Sequence, residues 1–236
     1  MGAALVSGVA MLLAATVFGA FYYFAQTTSK TEALSVTGSA KVRVTSDQAK
    51  LVLSTSHMAP MSDLASGYAA VAKDLAAIHA LLAKEGVADS DVTDSPASMN
   101  QFYKPNDYGN NPTYTISQMV TIQSNDVSKV TDISKKIPSL APQGAVVSIQ
   151  QLEYYYSKLP DLRVSLLTDA VKDAMARAEK IAEGTGRKIG AVQSASNGVV
   201  QVLSPNSVDI SDYGSYDTTS IDKDIMVTIK ATFSLR

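Results

Sequence analysis

"EKIAEGTGRKIGAV", Glu179–Val192, sets three glycines, Gly184, Gly186 and Gly190, around the basic pair Arg187 and Lys188. A nucleotide-binding fold puts a strand before such glycines and a helix after them, so that the helix amino terminus faces the phosphates. Here the order is reversed. An apolar stripe of helical period ends at about Glu183, and a strand begins at about Ile189. The spacing G-x-G-x-x-x-G matches neither the dinucleotide fingerprint nor a P-loop, and a helix carboxyl end repels phosphate. Gly184 or Gly186 reads as a helix C-cap, with Arg187 and Lys188 complementing the dipole.

Upstream, Leu162–Glu183 forms the helix, with Leu167, Ala170, Val171, Ala174, Ala178, Ile181 and Ala182 on its apolar face. Alanines four apart (Ala170, Ala174, Ala178, Ala182) let it approach a partner closely. Lys172, Asp173, Arg177, Glu179, Lys180 and Glu183 cover the solvated remainder. Downstream, Ile189–Leu203 gives strands around Gly190 and Gly198, and Ile225–Leu235 alternates cleanly.

The first part of the body has the same legibility. Leu34–Thr45 alternates strictly over its length, which predicts a strand with Gly38 as a bulge candidate. Ala49–Met58 is a second strand, broken by Pro60. Leu64, Tyr68, Val71, Leu75, Ile78 and Leu82 then follow helical spacing, with Ser62 or Asp63 as cap and Gly86 at the far end. Val92–Tyr103 reads as a weaker strand interrupted by Pro96, Lys104–Pro112 as a hairpin loop, and Thr113–Ser124 as a strand. Asp126 caps a short helix stopped by Pro138, and Val146–Ser157 is a further strand. Strand–helix–strand–strand–helix–strand is the order of a ferredoxin-like βαββαβ core.

Residues Leu162–Ser196 resemble the signature region of bacterial SIMPL-domain proteins, in which an alanine-rich D-A-x-x-x-A helix runs into G-x-x-(I/L)-G and a strand. "LSVTGSAKVRVTSDQAKLVLS", "GVADSDVTDSP" and "IMVTIKATFSL" extend the similarity over Leu34–Leu235. The resemblance implies an envelope or periplasmic protein, in a family where some members build large ring-like or channel-like homo-oligomers. It carries no catalytic residues.

From Ala3 to Ala25 no side chain is charged. These residues, at about 1.5 Å each, would span roughly 34 Å, against about 30 Å of hydrocarbon. The segment is therefore expected to be an uncleaved anchor, with Leu5, Val9, Leu12, Leu13, Val17, Phe18, Phe21, Tyr22, Tyr23 and Phe24 facing lipid or its interface. Gly8, Ala15 and Gly19 would permit close helix packing. A cleaved signal peptide fits less well, because no Lys or Arg precedes the run and no A-x-A site leads into a polar start. The flanking charges do not orient it.

The expected fold class is α+β: a transmembrane helix at residues 1–26, a linker at 27–33, and a SIMPL-type domain at 34–236 with the βαββαβ core plus an additional helix and strands. The expected location is the inner membrane, single-pass, with the carboxyl-terminal domain in the periplasm or outside the cell.

The chemistry-bearing residues are few. The chain of 236 residues has a net charge of −2, no cysteine and two histidines, His57 and His79. That gives no disulfide, no thiol nucleophile, no multi-histidine metal site and no electrostatic reason to bind nucleic acid. Asp209, Asp212, Asp217, Asp222 and Asp224 cluster in Val208–Asp224 without EF-hand spacing, and read as a solvated loop. No G-x-S-x-G elbow occurs. Tyr103 and Tyr108 in one loop and Tyr213 and Tyr216 in the other are candidate oligomer contacts. The expectation is a membrane-anchored, self-assembling structural protein with no catalytic residue, cofactor or metal. Its partners would be itself, the membrane and another envelope assembly. The alternative is a monomeric periplasmic ligand-binding or chaperone-like module.

Overall fold

The computed structural model describes residues 16–19, 32–102, 112–207 and 211–236. Its elements are β1 (Ala33–Thr45), β2 (Gln48–Pro60), α1 (Leu64–Lys84), β3 (Val92–Asp94), β4 (Ser98–Phe102), β5 (Thr113–Ser124) and α2 (Val127–Lys136). After a 3-10 segment, Ile137–Gln143, come β6 (Val147–Tyr155), α3 (Leu159–Gly184), β7 (Ile189–Asn197), β8 (Gln201–Leu203) and β9 (Asp222–Leu235). The chain divides into two compact units, Ala40–Asp169 with Gly198–Thr228, and Met1–Ser39 with Ala170–Asn197 and Ile229–Arg236.

In the first unit β2 is the central strand of an antiparallel sheet ordered β3-β5-β2-β6, with β4 also paired to β5. Alternation puts Ala49, Leu51 and Leu53 of β2 on one face, where they meet Val120 and Ile122 of β5, Ile78 and Leu82 of α1, and Val130 and Ile133 of α2. Leu51 stands between Ile122 and Leu152, so the core register is set on both sides of the central strand. Asp63 and Asp126 cap the two helices, accepting from Ser66 N at 3.3 Å and Lys129 N at 2.9 Å.

The interruption expected at Pro96 is present, and the stop expected at Pro138 is refined. Pro96 divides the Val92–Tyr103 segment into β3 and β4, because it offers no N–H to the ladder. Pro138 ends the α-helix but not the helical path, since it sits in the first turn of the 3-10 segment, where its missing N–H is unneeded.

In the second unit β9 lies between β1 and β7. Ala170, Ala174, Ala178 and Ala182 of α3 are all at most 1% exposed. Gly38 is no bulge device: a Cβ there would stand 2.3 Å from Ala170 O and 2.4 Å from Ala174 N. The glycine and the small stripe are two halves of one close approach. At the end of α3, Gly186 N donates to Glu183 O and Arg187 N to Ala182 O at 2.8 Å, while Gly186 takes φ +74°. That is a left-handed helix terminus, and it assigns the cap to Gly186.

The expected fold class, with its amino-terminal transmembrane helix, is corrected to a mixed α/β fold with two sheets. Among the described residues no helix is long and apolar enough to cross a membrane. Of the uncharged run, residues 16–19 are described, a helical turn with Val17 and Phe18 exposed. Leu5, Val9, Leu12, Leu13, Phe21, Tyr22, Tyr23 and Phe24 lie outside the described residues.

Gly38→Ala is expected to cost about 3 kcal/mol, because its methyl meets helix backbone that cannot yield. Gly184→Ala, whose Cβ would meet nothing within 4 Å, should be neutral or stabilise by up to about 1 kcal/mol. Urea denaturation midpoints check both, and equal midpoints for the two variants would contradict the close approach.

Candidate functional site

Asp74 lies on α1 three residues after Val71 and four before Ile78, within the stripe that faces the sheet. It is 1% exposed, and its Oδ2 is bonded by three groups, two from β2 and one from the residue before β6. Thr55 Oγ1 donates at 2.7 Å, His57 Nε2 lies at 2.6 Å, and Val146 N donates at 3.0 Å. Burial pushes the carboxyl up, but the bonds from His57, Thr55 and Val146 outweigh it and hold Asp74 below its ordinary value. His57 therefore connects a buried carboxylate to the surface, with its side chain 24% exposed. A carboxylate-oriented imidazole can serve acid–base chemistry when a nucleophile meets its other nitrogen. Among the described residues Asp74 is the one hydrogen-bonded partner of His57. His79 pairs with Asp94 at 2.9 Å in the open.

Within the aspartate-rich loop, Asp217 and Asp224 are pinned rather than solvated, a correction to the expectation above for these two residues. Asp224 is 1% exposed and takes the Arg43 fork at 2.8 and 3.1 Å, Lys41 Nζ at 2.8 Å and Asn206 N at 3.2 Å. The Arg43 and Lys41 bonds hold its carboxyl far below the carboxylate range. Asp217 is raised by burial but lowered more by Ser220 and Thr219, to about 2. The fully buried Lys223 donates to the carbonyls of Asp217 and Ser220 at 2.6 and 2.7 Å. Asp222 accepts from Thr45 Oγ1, Asp212 is exposed, and Asp209 lies outside the described residues. Among the described residues no three His, Cys, Asp or Glu converge as metal ligands.

Of the four tyrosines, Tyr103 and Tyr108 lie outside the described residues. Tyr213 is 96% exposed. Tyr216 is 46% exposed, with its ring centroid 6.2 Å from that of Tyr155, and it bridges to Val202.

Two surfaces of the first unit remain. A polar cleft of about 470 Å³ is lined by Lys50, Asp91, Gln123, Asn125, Asp126 and Tyr155, among others. Beside it Glu153 holds Lys50 at 3.5 Å and accepts from Tyr155 Oη at 2.9 Å. The second surface is the sheet face opposite Leu51 and Leu53. By register, Ser54, Ser56 and Met58 share it with Thr115, Ser117, Met119, Asn100 and Phe102. Met58, Met119 and Phe102 are exposed there. Neither surface was anticipated. The signal for the second is the alternation itself, since methionines stand where a solvated face should be wholly polar.

Asp74→Ala is expected to cost about 2–4 kcal/mol, because it strands buried donors. Asp74 and Asp217 titrate in the folded state below their unfolded value of about 3.9. Their stabilisation is complete above about pH 4 and is lost as pH falls through the folded values, about 2 for Asp217. Circular dichroism during acid titration should show stability falling in that window. Loss of the cooperative transition already at about pH 5.5 would contradict the assignment.

The sequence profile of the SIMPL family, described as protein of unknown function (DUF541), matches residues 34–233. Comparison with curated proteins finds no match. The match takes in nearly all of β1, every strand and helix from β2 through β8, and most of β9. The chain belongs to the SIMPL family.

Proposed function

We propose that this protein is a structural component of the bacterial cell envelope, on the periplasmic or outer side, that works by assembling into a defined homo-oligomer. The observation that carries the reading is the open face of the five-stranded sheet, where Met58, Met119 and Phe102 are 61%, 48% and 44% exposed. Three large apolar side chains among serines and threonines form a surface suited to a protein contact. Tyr213 adds an exposed aromatic. The assemblies formed by some proteins of this type support the same reading, and another envelope assembly is a natural second partner.

The protein acts without intrinsic catalysis in this reading. His57 and His79 are each held by an aspartate, and cysteine is absent. A net charge of −2 supports no role with nucleic acid. A second reading, a monomeric binding module, has one observation in its favour: the polar cleft around Lys50, Asp126 and Tyr155.

Light scattering of the purified full-length chain in mild detergent should give one discrete mass of several subunits at micromolar concentration. Met58→Ser with Met119→Ser should lower that mass and leave the monomer folded. A monomeric wild-type chain would refute assembly and favour the binding module.

A further inference from the structure

Among the described residues, β7 pairs with β9 on one side and has no strand on the other. Its residues Ala191–Asn197 are exposed one after another, so both faces of the strand, as well as its outer edge, meet solvent. The sequence "IGAVQSASN" contains no charge and no proline. Free edges are normally blunted by lysine, proline, bulges or a covering element, since unpaired N–H and C=O groups template further pairing. The register against β9 shifts between Ile189 and Ser194, then runs regularly over Ser194–Asn197. The opposite edge of the same sheet is guarded. Asp173 Oδ2 already accepts from Ser39 N of β1 at 2.8 Å, and β1 carries Lys41 and Arg43. Among the described residues the β1 edge is guarded, whereas the regular part of β7, Ser194–Asn197, carries no such guard.

We propose that the β7 edge is a self-association site, at which β7 of one copy pairs antiparallel with β7 of a second copy about a two-fold axis through Ala195. The proposal rests on the self-assembly reading above and deepens it. The partner is a second copy because the strand is complementary to itself. With Ala195 opposite Ala195, Ser194 hydroxyls face Ser196 hydroxyls and the Gln193 amide faces the Asn197 amide. Each polar group meets a group able both to donate and to accept, and no charge is brought near another. Gln193–Asn197 facing its copy adds about four to six backbone hydrogen bonds, the low end of a protein interface's complement. The β7 pairing is thus one of at least two contacts in the assembly. It is isologous and closes on itself, so growth beyond a pair of subunits uses the other surface.

The chain has no cysteine, so a single introduced thiol reports one position. Antiparallel partners stand about 4.5–5.5 Å apart at Cα, within disulfide reach. The native full-length chain in mild detergent is weighed by light scattering, and Ala195→Cys is oxidised in parallel with Lys180→Cys, whose side chain is 81% exposed on α3. Ala195→Cys should form a reducible dimer at least ten-fold faster than the control. Ser194→Lys with Ser196→Lys, which sets like charges opposite each other, should at least halve the native mass while its circular dichroism stays native. If the native chain assembles but Ala195→Cys cross-links no faster than the control, or the double lysine variant keeps the native mass, the β7 pairing is wrong and self-assembly stands. If the native chain is monomeric, both fall.

Discussion

The approach of α3 to β1 at Gly38 is the constraint that most of the second unit depends on. A helix backbone lies against a strand backbone there, and only hydrogen fits between them. The cost of that closeness is that the contact has no large side chain to bury. Alanines four apart then carry the helix along the sheet, each nearly or wholly inaccessible. Dispersion between backbones stands in for the leucine-rich packing of the first unit, where Leu51, Leu53, Ile78 and Leu82 fill the layer between sheet and helices. In the second unit this close approach stands beside the burial of Phe233, Ile229 and Val36.

The charged residues show a related economy. Only 18% of the chain is charged, and several of those groups are committed to fixed internal geometry. Asp74 ties α1 to β2 and to the start of β6, Asp224 gathers Lys41, Arg43 and Asn206, and Asp173 occupies a free N–H of β1. Each joins residues far apart in sequence. Buried carboxylates of this kind specify arrangement more than they add stability, because desolvation offsets much of their attraction.

What was legible in the sequence was whatever local periodicity encodes. Thr113–Ser124 alternates and is β5, and the stripe from Leu64 to Leu82 is the inner face of α1. The reversed order of helix and glycines around Gly186 was readable too, because a C-cap is a local event. The misreadings concern pairs. Gly38 looked like a bulge because its partner, Ala170, lies more than a hundred residues away. Asp217 and Asp224 looked solvated because acidic loops usually are, and nothing near them in sequence announces Arg43 or a buried lysine. The link from His57 to Asp74 had one trace, a carboxylate at a core position of a helical stripe. The amino-terminal run shows the other limit, since hydropathy sets a length but no described helix carries it.

Lys223 has a use unrelated to its role in the fold. Its side chain is 0% exposed, it donates to two loop carbonyls, and burial lowers its proton affinity. An amine in that state is hidden from acylating reagents while the start of β9 holds, and reacts as an ordinary surface lysine once released. The chain therefore contains an internal chemical clock. The surface amines of Lys135 and Lys180 acquire label at once. Lys223 acquires it at the rate at which the Asp217–Ser220 turn opens, so one labelled peptide reads the opening frequency of a single loop without any change to the sequence.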